Sequence, residues 1–143
     1  MVMGSAAIGV SCNPYKNFKY FDDKSDIDVA VISGFHFQVA WRYLRNNGHT
    51  RFKLSKAQKN TWDEHLTRFI FWGTIAADKL LPLFPFGQQW LPALTKASSP
   101  LIGDRAVTLR IYADYDSLRA YQTQSAKTLK NTILTGGADA KVH

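Results

Sequence analysis

Two aspartates stand two residues apart in the stretch "SDIDVAVIS", residues 25–33, just before an almost unbroken apolar run. On an extended strand, residues i and i+2 project from the same face about 7 Å apart, so Asp26 and Asp28 project together. Two such carboxylates repel each other unless a cation lies between them, and Mg²⁺ prefers carboxylate and phosphate oxygens. The alternative is a strand entry at which aspartates only cap turns, which is our interpretation of Asp22 and Asp23.

The apolar pattern around this pair predicts the elements that must position it. "DIDVAVIS" is short and β-branched like a buried strand, and "AVTLRIYA", residues 106–113, alternates apolar and polar residues like a second strand. Helical spacing predicts helices at 35–45, from Ser55 to just before Pro82 with a kink or break at Gly73, near Trp90, and from about Asp116. We therefore expect one α/β (α+β) domain over residues 1–134, a small mixed sheet with flanking helices, and a flexible tail at 135–143.

Composition excludes several classes of protein. A chain of 143 residues with 45% hydrophobic and 13% aromatic residues can bury a core of its own, so it is not a disordered chain. Its one cysteine, Cys12, cannot form an intramolecular disulfide, which fits a reducing compartment. No apolar run approaches the roughly 20 residues of a membrane span, and no basic signal-peptide start is present. We expect a soluble, cytoplasmic protein that does not act at a membrane.

The net charge of +7 is unevenly distributed along the chain. No acidic residue occurs between Asp28 and Asp63, whereas this interval contains six basic residues: Arg42, Arg45, Arg51, Lys53, Lys56 and Lys59. Such a stretch attracts polyanions, which include nucleotides, nucleic acid and acidic protein partners. The equally plain alternative is a solvated face that only keeps the protein soluble.

A second short motif precedes the aspartate pair. Gly4 and Ser5 follow a brief apolar start, and a Gly-Ser at a strand-to-helix junction can offer backbone N–H groups and a hydroxyl to phosphates. Together with "SDIDVAVIS", this Gly-Ser resembles the signature of the nucleotidyltransferase superfamily that includes DNA polymerase beta and the minimal nucleotidyltransferases. The resemblance implies that Asp26 and Asp28 are catalytic Mg²⁺ ligands and that Gly4 and Ser5 bind the triphosphate of a nucleotide.

The same resemblance implies a third carboxylate on a neighbouring strand. The strand at residues 106–113 presents Arg110 together with Thr108 and Tyr112, and its first acid on that face is Asp114. Asp114 is therefore either a weak candidate for the third catalytic acid or the N-cap of the last helix. Arg110 would neutralise phosphate charge in an active protein, or pair with Asp28 in an inactive one.

Two functions remain open from the sequence. The first is a nucleotidyltransferase that binds Mg²⁺ and a nucleoside triphosphate and transfers a nucleotide to a protein or RNA acceptor. The second is a catalytically degenerate relative that binds nucleic acid or a partner protein through the basic stretch. The resemblance to minimal nucleotidyltransferases implies a toxin–antitoxin or antiviral defence setting for either. The aromatic stretch at 71–90 would suit a base-stacking wall, but the helical spacing of Phe69, Trp72, Ala76 and Leu80 favours core packing.

Overall fold

Four strands form one open mixed sheet in the computed structural model, which describes residues 1–11, 13, 16 and 18–135. The strands are β1 (Val2–Met3), β2 (Ile27–Ile32), β3 (Thr74–Ala76) and β4 (Val107–Tyr112). Their order across the sheet is β1-β2-β4-β3; β2 and β4 run parallel, and the two short edge strands pair antiparallel to them. The predicted α/β class with a mixed sheet is therefore confirmed. Cys12 and nearly all of the predicted tail, from residue 136 on, lie outside the described residues.

Helices cover both faces of this sheet. They are α1 (Ser5–Ile8), α2 (Gly34–Asn46), α3 (Lys56–Glu64), α4 (Gly87–Ala97) and α5 (Tyr115–Leu134). Shorter 3₁₀ segments occupy Gly48–Lys53, Leu81–Leu83 and Pro100–Ile102, and a π-helical turn at His65–Phe69 follows α3 directly. None of the helices in the described ranges combines the length and the hydropathy that crossing a membrane requires.

The larger core lies on the face of the sheet that carries the odd-numbered residues of β2 and β4. Leu109 and Ile111 are buried there with Ile75 of β3, against Ala40 and Leu44 of α2. Strands with both faces covered need apolar residues on each side, which explains why β2 is rich in valine and isoleucine. The burial of this face fixes the register of the sheet, because a slip by one residue would turn every apolar side chain outward.

The opposite face is only partly covered, and this leaves room for a cleft. Ala30 and Tyr112 are buried on it beneath Leu118 of α5. Beyond Tyr121, most of α5 is exposed. On this face, the buried residues of the described chain lie toward the C-terminal ends of β2 and β4, so the first residues of both strands are not covered by a helix. Polar residues at the start of these strands, Asp28 and Thr108 among them, therefore face a solvent-filled space.

Side chains at helix starts confirm most of the predicted boundaries. Ser33 caps α2 by accepting a hydrogen bond from the backbone N–H of His36. Ser55 and Gln58 form a capping box at α3, in which each side chain accepts from the other's backbone N–H. Asp114 caps α5, its Oδ1 accepting from the Ser117 N–H at 2.7 Å.

The predicted long helix from Ser55 to Pro82 is wrong in its second half. Helix α3 ends at Glu64, and after the π-helical turn Gly73 takes a φ of 63°, a left-handed value at which the chain turns into strand β3. Thr74 and Ala76 are then buried by pairing with Tyr112 and Arg110 of β4. The helical spacing of this stretch was a local coincidence that non-local strand pairing overrode.

Candidate functional site

Gly4 and Ser5 lie at a strand-to-helix junction, as their sequence context predicts. Strand β1 ends at Met3, Gly4 takes φ 61° and ψ −149°, and α1 begins at Ser5. That combination of angles belongs to a region that essentially only glycine occupies. The chain therefore turns sharply at Gly4, directly at the edge of the sheet.

This glycine turn lies against the carboxylate of Asp28. Met3 of β1 pairs with Asp28 of β2 in the antiparallel register, so the next residue, Gly4, passes beside the Asp28 side chain. A Cβ atom at Gly4 would lie 2.4 Å from Asp28 Oδ2, a distance that real Cβ contacts do not reach. The absence of a side chain at Gly4 thus lets the Asp28 carboxylate pack closely against the backbone of the Gly-Ser turn.

On its other side, Asp28 contacts β4. It pairs with Thr108 in the parallel register, and Thr108 Oγ1 donates to Asp28 Oδ1 at 2.5 Å. The position opposite Asp28 on the neighbouring strand is therefore a threonine rather than the third carboxylate that the resemblance implies. The hydrogen bond fixes one oxygen of Asp28 and leaves the other directed toward Gly4.

Asp26 precedes β2 by one residue and lines the same cleft as Asp28. Of its neighbours, Asp22 caps a turn as predicted, whereas the Asp23 side chain forms an ion pair. Asp22 Oδ1 accepts from the N–H of Lys24 at 3.0 Å, and hydrogen bonds from Lys19 and then from Ser25 lower the pKa of Asp22. Asp23 pairs instead with Arg105 at 2.9 Å.

Arg110 points into the cleft without an ionic partner within the described residues. Its guanidinium lies between the rings of Phe69 and Tyr121, 4.9 and 5.0 Å from their centroids, and donates to the Tyr121 hydroxyl at 3.2 Å. It lines one cavity together with Asp28. The pairing of Arg110 with Asp28 that an inactive protein would show is not among the salt bridges of the described chain.

Asp114 is not brought to this cleft. It follows the last residue of β4, six positions beyond Thr108, which at the rise of a strand is about 20 Å away. Its carboxylate caps α5, and hydrogen bonds from Ser117 lower the pKa of Asp114. Asp114 therefore has the second of the two roles considered for it, that of N-cap of the last helix.

The acid that sequence reasoning missed is Asp78. It lies just after β3, its Oδ1 accepts from the Leu109 N–H at 2.6 Å, and it lines one cavity with Asp28 and Arg110. Partial burial against β4 raises the pKa of Asp78, and the charge of Asp28 adds to that shift. A helix was predicted here, so Asp78 was not placed near the aspartate pair; the β-branched Thr74 and Ile75 directly after Gly73 were the signal for a strand.

Three adjoining cavities of about 210, 580 and 270 Å³ meet at Asp28. Gly4 lines the first two, and Ser5 lines the second and third. The smallest contains Asp78 and Arg110, the largest contains aromatic and polar side chains of α5, and the third contains Asp26 with three lysines. Together they form one polar cleft, which we call the Gly4–Asp28 cleft.

The donor set of this cleft fits one Mg²⁺ ion that arrives with phosphate. Asp26 and Asp28 supply carboxylate oxygens, and Mg²⁺ commonly uses one or two carboxylates and completes its shell with substrate phosphates and water. The glycine at position 4 brings the backbone of the Gly-Ser turn close to Asp28 Oδ2, so a phosphate bound by the turn would lie near this carboxylate. No group of three or more His, Cys, Asp and Glu side chains with metal-holding spacing occurs in the described part of the chain.

The basic stretch lies elsewhere on the molecule. Its six residues belong to α2, the 3₁₀ segment at Gly48–Lys53 and α3, which cover the opposite face of the sheet, and none of them lines the cleft. Arg51 is engaged by Asp63 through two parallel hydrogen bonds, and Arg45 stacks on Trp41 at 4.7 Å. The cations that do line the cleft are Lys16, Lys19, Lys24, Arg68 and Arg110.

Comparison of the chain with models of protein families, with curated proteins and with solved structures returned no match. The fold and the residues of the cleft are therefore what defines the class of this protein: a mixed α/β domain with a charged cleft at one edge of its sheet.

Proposed function

We propose that this protein is a cytoplasmic domain of nucleotidyltransferase type that binds Mg²⁺ and a nucleoside triphosphate in the Gly4–Asp28 cleft. In this proposal it transfers a nucleotide to a protein or RNA acceptor. The observation that supports it best is the contact between the Gly-Ser turn and Asp28. Twenty residues separate Ser5 from Asp26 in the sequence, yet the two short motifs line one cleft.

Each side chain of the cleft has a role that its position suits. The backbone of Gly4 and the hydroxyl of Ser5 contact phosphate oxygens. Asp26 and Asp28 hold the Mg²⁺ ion, which when bound offsets the negative charge that develops on the phosphates during transfer. Thr108 holds Asp28 in place through its hydrogen bond, and Arg110 adds a positive charge that two aromatic rings hold in position.

The alternative, a degenerate relative that binds nucleic acid or a partner protein, is favoured by one observation. Thr108 stands opposite Asp28, where the resemblance implies an acid, and the nearest additional carboxylate, Asp78, is bonded to the backbone of Leu109. A protein with two ligands for a metal and no general base would bind a nucleotide without turning it over. The exposed basic stretch on the opposite face would then carry the function.

Label transfer separates the two functions. The protein is incubated with radiolabelled nucleoside triphosphates, Mg²⁺ and candidate protein or RNA acceptors, and wild type is compared with Asp28→Asn and with the double variant Asp26→Ala/Asp28→Ala. The matched control is Asp116→Asn, because the Asp116 side chain is 91% exposed on α5 and does not line the cleft. We expect transfer to be lost in both cleft variants and retained in the control.

Binding without transfer gives the opposite answer. If wild type binds Mg²⁺ and nucleotide but labels no acceptor, the degenerate function is supported, and nucleic-acid binding should then fall when Lys53 and Lys56 are changed to glutamate. If wild type shows no Mg²⁺-dependent nucleotide binding at all, the proposed site itself is wrong.

A further inference from the structure

The largest cavity of the cleft has a volume of about 580 Å³, and residues of the two motifs form only one end of it. Gly4, Ser5 and Asp28 form that end. Trp72, Arg68 and one face of α5, with Tyr121, Gln124, Ser125 and Thr128, line the other end, and Ser11, Asn13 and Lys16 complete the lining. A volume of this size is ordinary for a site that holds a small ligand.

Trp72 occupies an unusual position for a large aromatic residue. It was predicted to join the core with Phe69 and Leu80, and those two are buried. Trp72 is instead half-buried on the wall of the cavity, held by an edge-to-face contact with Phe71 at 5.2 Å. The positive φ of Gly73 turns the chain immediately after Trp72 and so separates it from the core that β3 enters.

The face of α5 opposite Trp72 is polar. The hydroxyls of Ser125 and Thr128 donate to the carbonyls of Tyr121 and Gln124, which leaves their oxygen lone pairs as acceptors in the cavity. No hydrogen bond within the described chain occupies the carboxamide of Gln124. A flat aromatic surface on one side and neutral donors and acceptors on the other are suited to a flat heterocycle with polar edges.

The cavity on the other side of Asp28 is lined by several cationic side chains. The cavity of about 270 Å³ is lined by Lys16, Lys19 and Lys24 together with Ser5, and it meets the larger cavity at Ser5 and Asp28. Lys16 lines both cavities, and the other cation of the larger one, Arg68, is paired with Glu64. The cleft therefore runs from a lysine-rich end, across the Gly-Ser turn and Asp28, to an aromatic end without an unpaired cation among its described residues beyond Lys16. A nucleotide has the same order of groups: anionic phosphates at one end and an uncharged base at the other.

We propose that the 580 Å³ cavity is the nucleobase subsite of the cleft, that the base stacks on Trp72, and that the phosphates extend toward Lys16, Lys19 and Lys24. This inference rests on the proposed function and adds the orientation of the nucleotide and the residue that holds its base. The two-ring indole overlaps a purine more completely than a pyrimidine, so purine nucleotides bind more tightly.

Calorimetric titration with two probes tests this assignment. Mg²⁺–ATP carries phosphates and base, whereas Mg²⁺–tripolyphosphate carries phosphates alone. We expect Trp72→Ala to weaken Mg²⁺–ATP about tenfold, as loss of one stacked base does, and to leave tripolyphosphate affinity unchanged. Phe52→Ala is the matched control, because Phe52 is an aromatic residue that is 69% exposed and lines none of the three cavities.

A second variant keeps the test decisive if Trp72→Ala does not fold, which circular dichroism reports. Ser125→Trp places a bulky ring in the cavity from the exposed face of α5, and we expect it to block Mg²⁺–ATP and to spare tripolyphosphate. For wild type, ATP and GTP should bind more tightly than CTP and UTP, and Trp72→Ala should abolish that preference.

The possible failures are distinct. If Mg²⁺–ATP binds wild type and neither Trp72→Ala nor Ser125→Trp alters its affinity relative to Phe52→Ala, the nucleobase subsite is wrong and the proposed function stands. The same holds if ATP binds no more tightly than tripolyphosphate. If neither probe binds wild type, both the proposed function and this subsite are overturned.

Discussion

Replacement of Gly4 by alanine tests the central contact of the cleft, because it acts through two separable effects. The first is conformational: at φ 61° and ψ −149° a residue with a Cβ is strained by about 1–3 kcal/mol. The second is steric: the new Cβ would lie 2.4 Å from Asp28 Oδ2. The carboxylate would have to turn away and lose the hydrogen bond from Thr108, at a cost of about 1.5–3 kcal/mol for a bond to a charged group.

Gly9→Ala is the matched control for the conformational effect. Gly9 also has a left-handed φ, 83°, but no atom lies within 4 Å of a Cβ placed there. We expect Gly9→Ala to lower the free energy of unfolding by about 1 kcal/mol, as a single left-handed residue with a side chain does. Gly4→Ala should lower it by about 3 kcal/mol, the sum of its two effects, and should also weaken Mg²⁺-dependent nucleotide binding.

Urea unfolding followed by tryptophan fluorescence measures both variants, and a double-mutant cycle isolates the steric part. In an Asp28→Ala background the carboxylate is absent, so Gly4→Ala should cost about 2 kcal/mol less than in wild type. Equal costs in the two backgrounds would refute the contact between the Gly-Ser turn and Asp28. A cost for Gly4→Ala no larger than that for Gly9→Ala would refute it as well.

Three further predictions concern residues at or near the sheet. Burial lowers the pKa of His65 from 6.5 to about 4, against the opposing effect of the hydrogen bond that its Nδ1–H donates to the Thr61 carbonyl. Its Nε2 accepts from the Ala76 N–H at 3.0 Å, so the neutral ring is the form that suits this site. The unfolded chain therefore binds the proton more readily, and His65 should remove about 3 kcal/mol of stability as the pH falls from 6.5 to 4. Urea unfolding of His65→Gln should not show this slope. Asp78→Asn keeps an acceptor for the Leu109 N–H and removes a charge whose pKa burial raises, so its melting temperature should exceed that of wild type at pH 7 but not at pH 3; a lower value at pH 7 would contradict this. Asp114→Ala should lower the melting temperature through loss of the α5 cap, Asp114→Ser should restore it, and neither should change nucleotide affinity, which titration calorimetry would check.

The parts of the fold that follow local rules could be predicted from the sequence. The β-branched run of β2 and the alternation of β4 identify the two central strands, and polar caps at Ser55 and Asp114 identify helix starts where the structure has them. Strand β3 has only one local signal, the β-branched Thr74 and Ile75 after Gly73, and three residues carry too little periodicity to distinguish a strand from a helix. It forms because pairing with β4 buries Thr74 and Ala76, and that pairing joins segments more than 30 residues apart.

The candidate site also has features that local rules predict and features that depend on non-local pairing. The residue types and spacing of Gly4, Ser5, Asp26 and Asp28 could be read directly, since short motifs carry their own chemistry. Their contact depends on the pairing of Met3 with Asp28, which no local rule supplies. Asp78 and Trp72 were misplaced for one shared reason: both flank Gly73–Ala76, the segment for which a helix was predicted.

Arg110 shares one cavity with two carboxylates of the cleft and forms no ion pair within the described chain. Arg110 could stabilise the protein by pairing with Asp28 or Asp78, which line the same cavity, yet two aromatic rings hold its guanidinium away from both. Asp78 and Arg110 nevertheless attract each other, since the charge of Arg110 lowers the pKa of Asp78 against the larger effect of burial. In the proposed complex the Mg²⁺ ion would lie at Asp28 and a phosphate near Arg110, so that both charged groups would gain a direct partner. The guanidinium keeps donors for such a phosphate, because two aromatic rings and one hydroxyl hold it rather than a carboxylate.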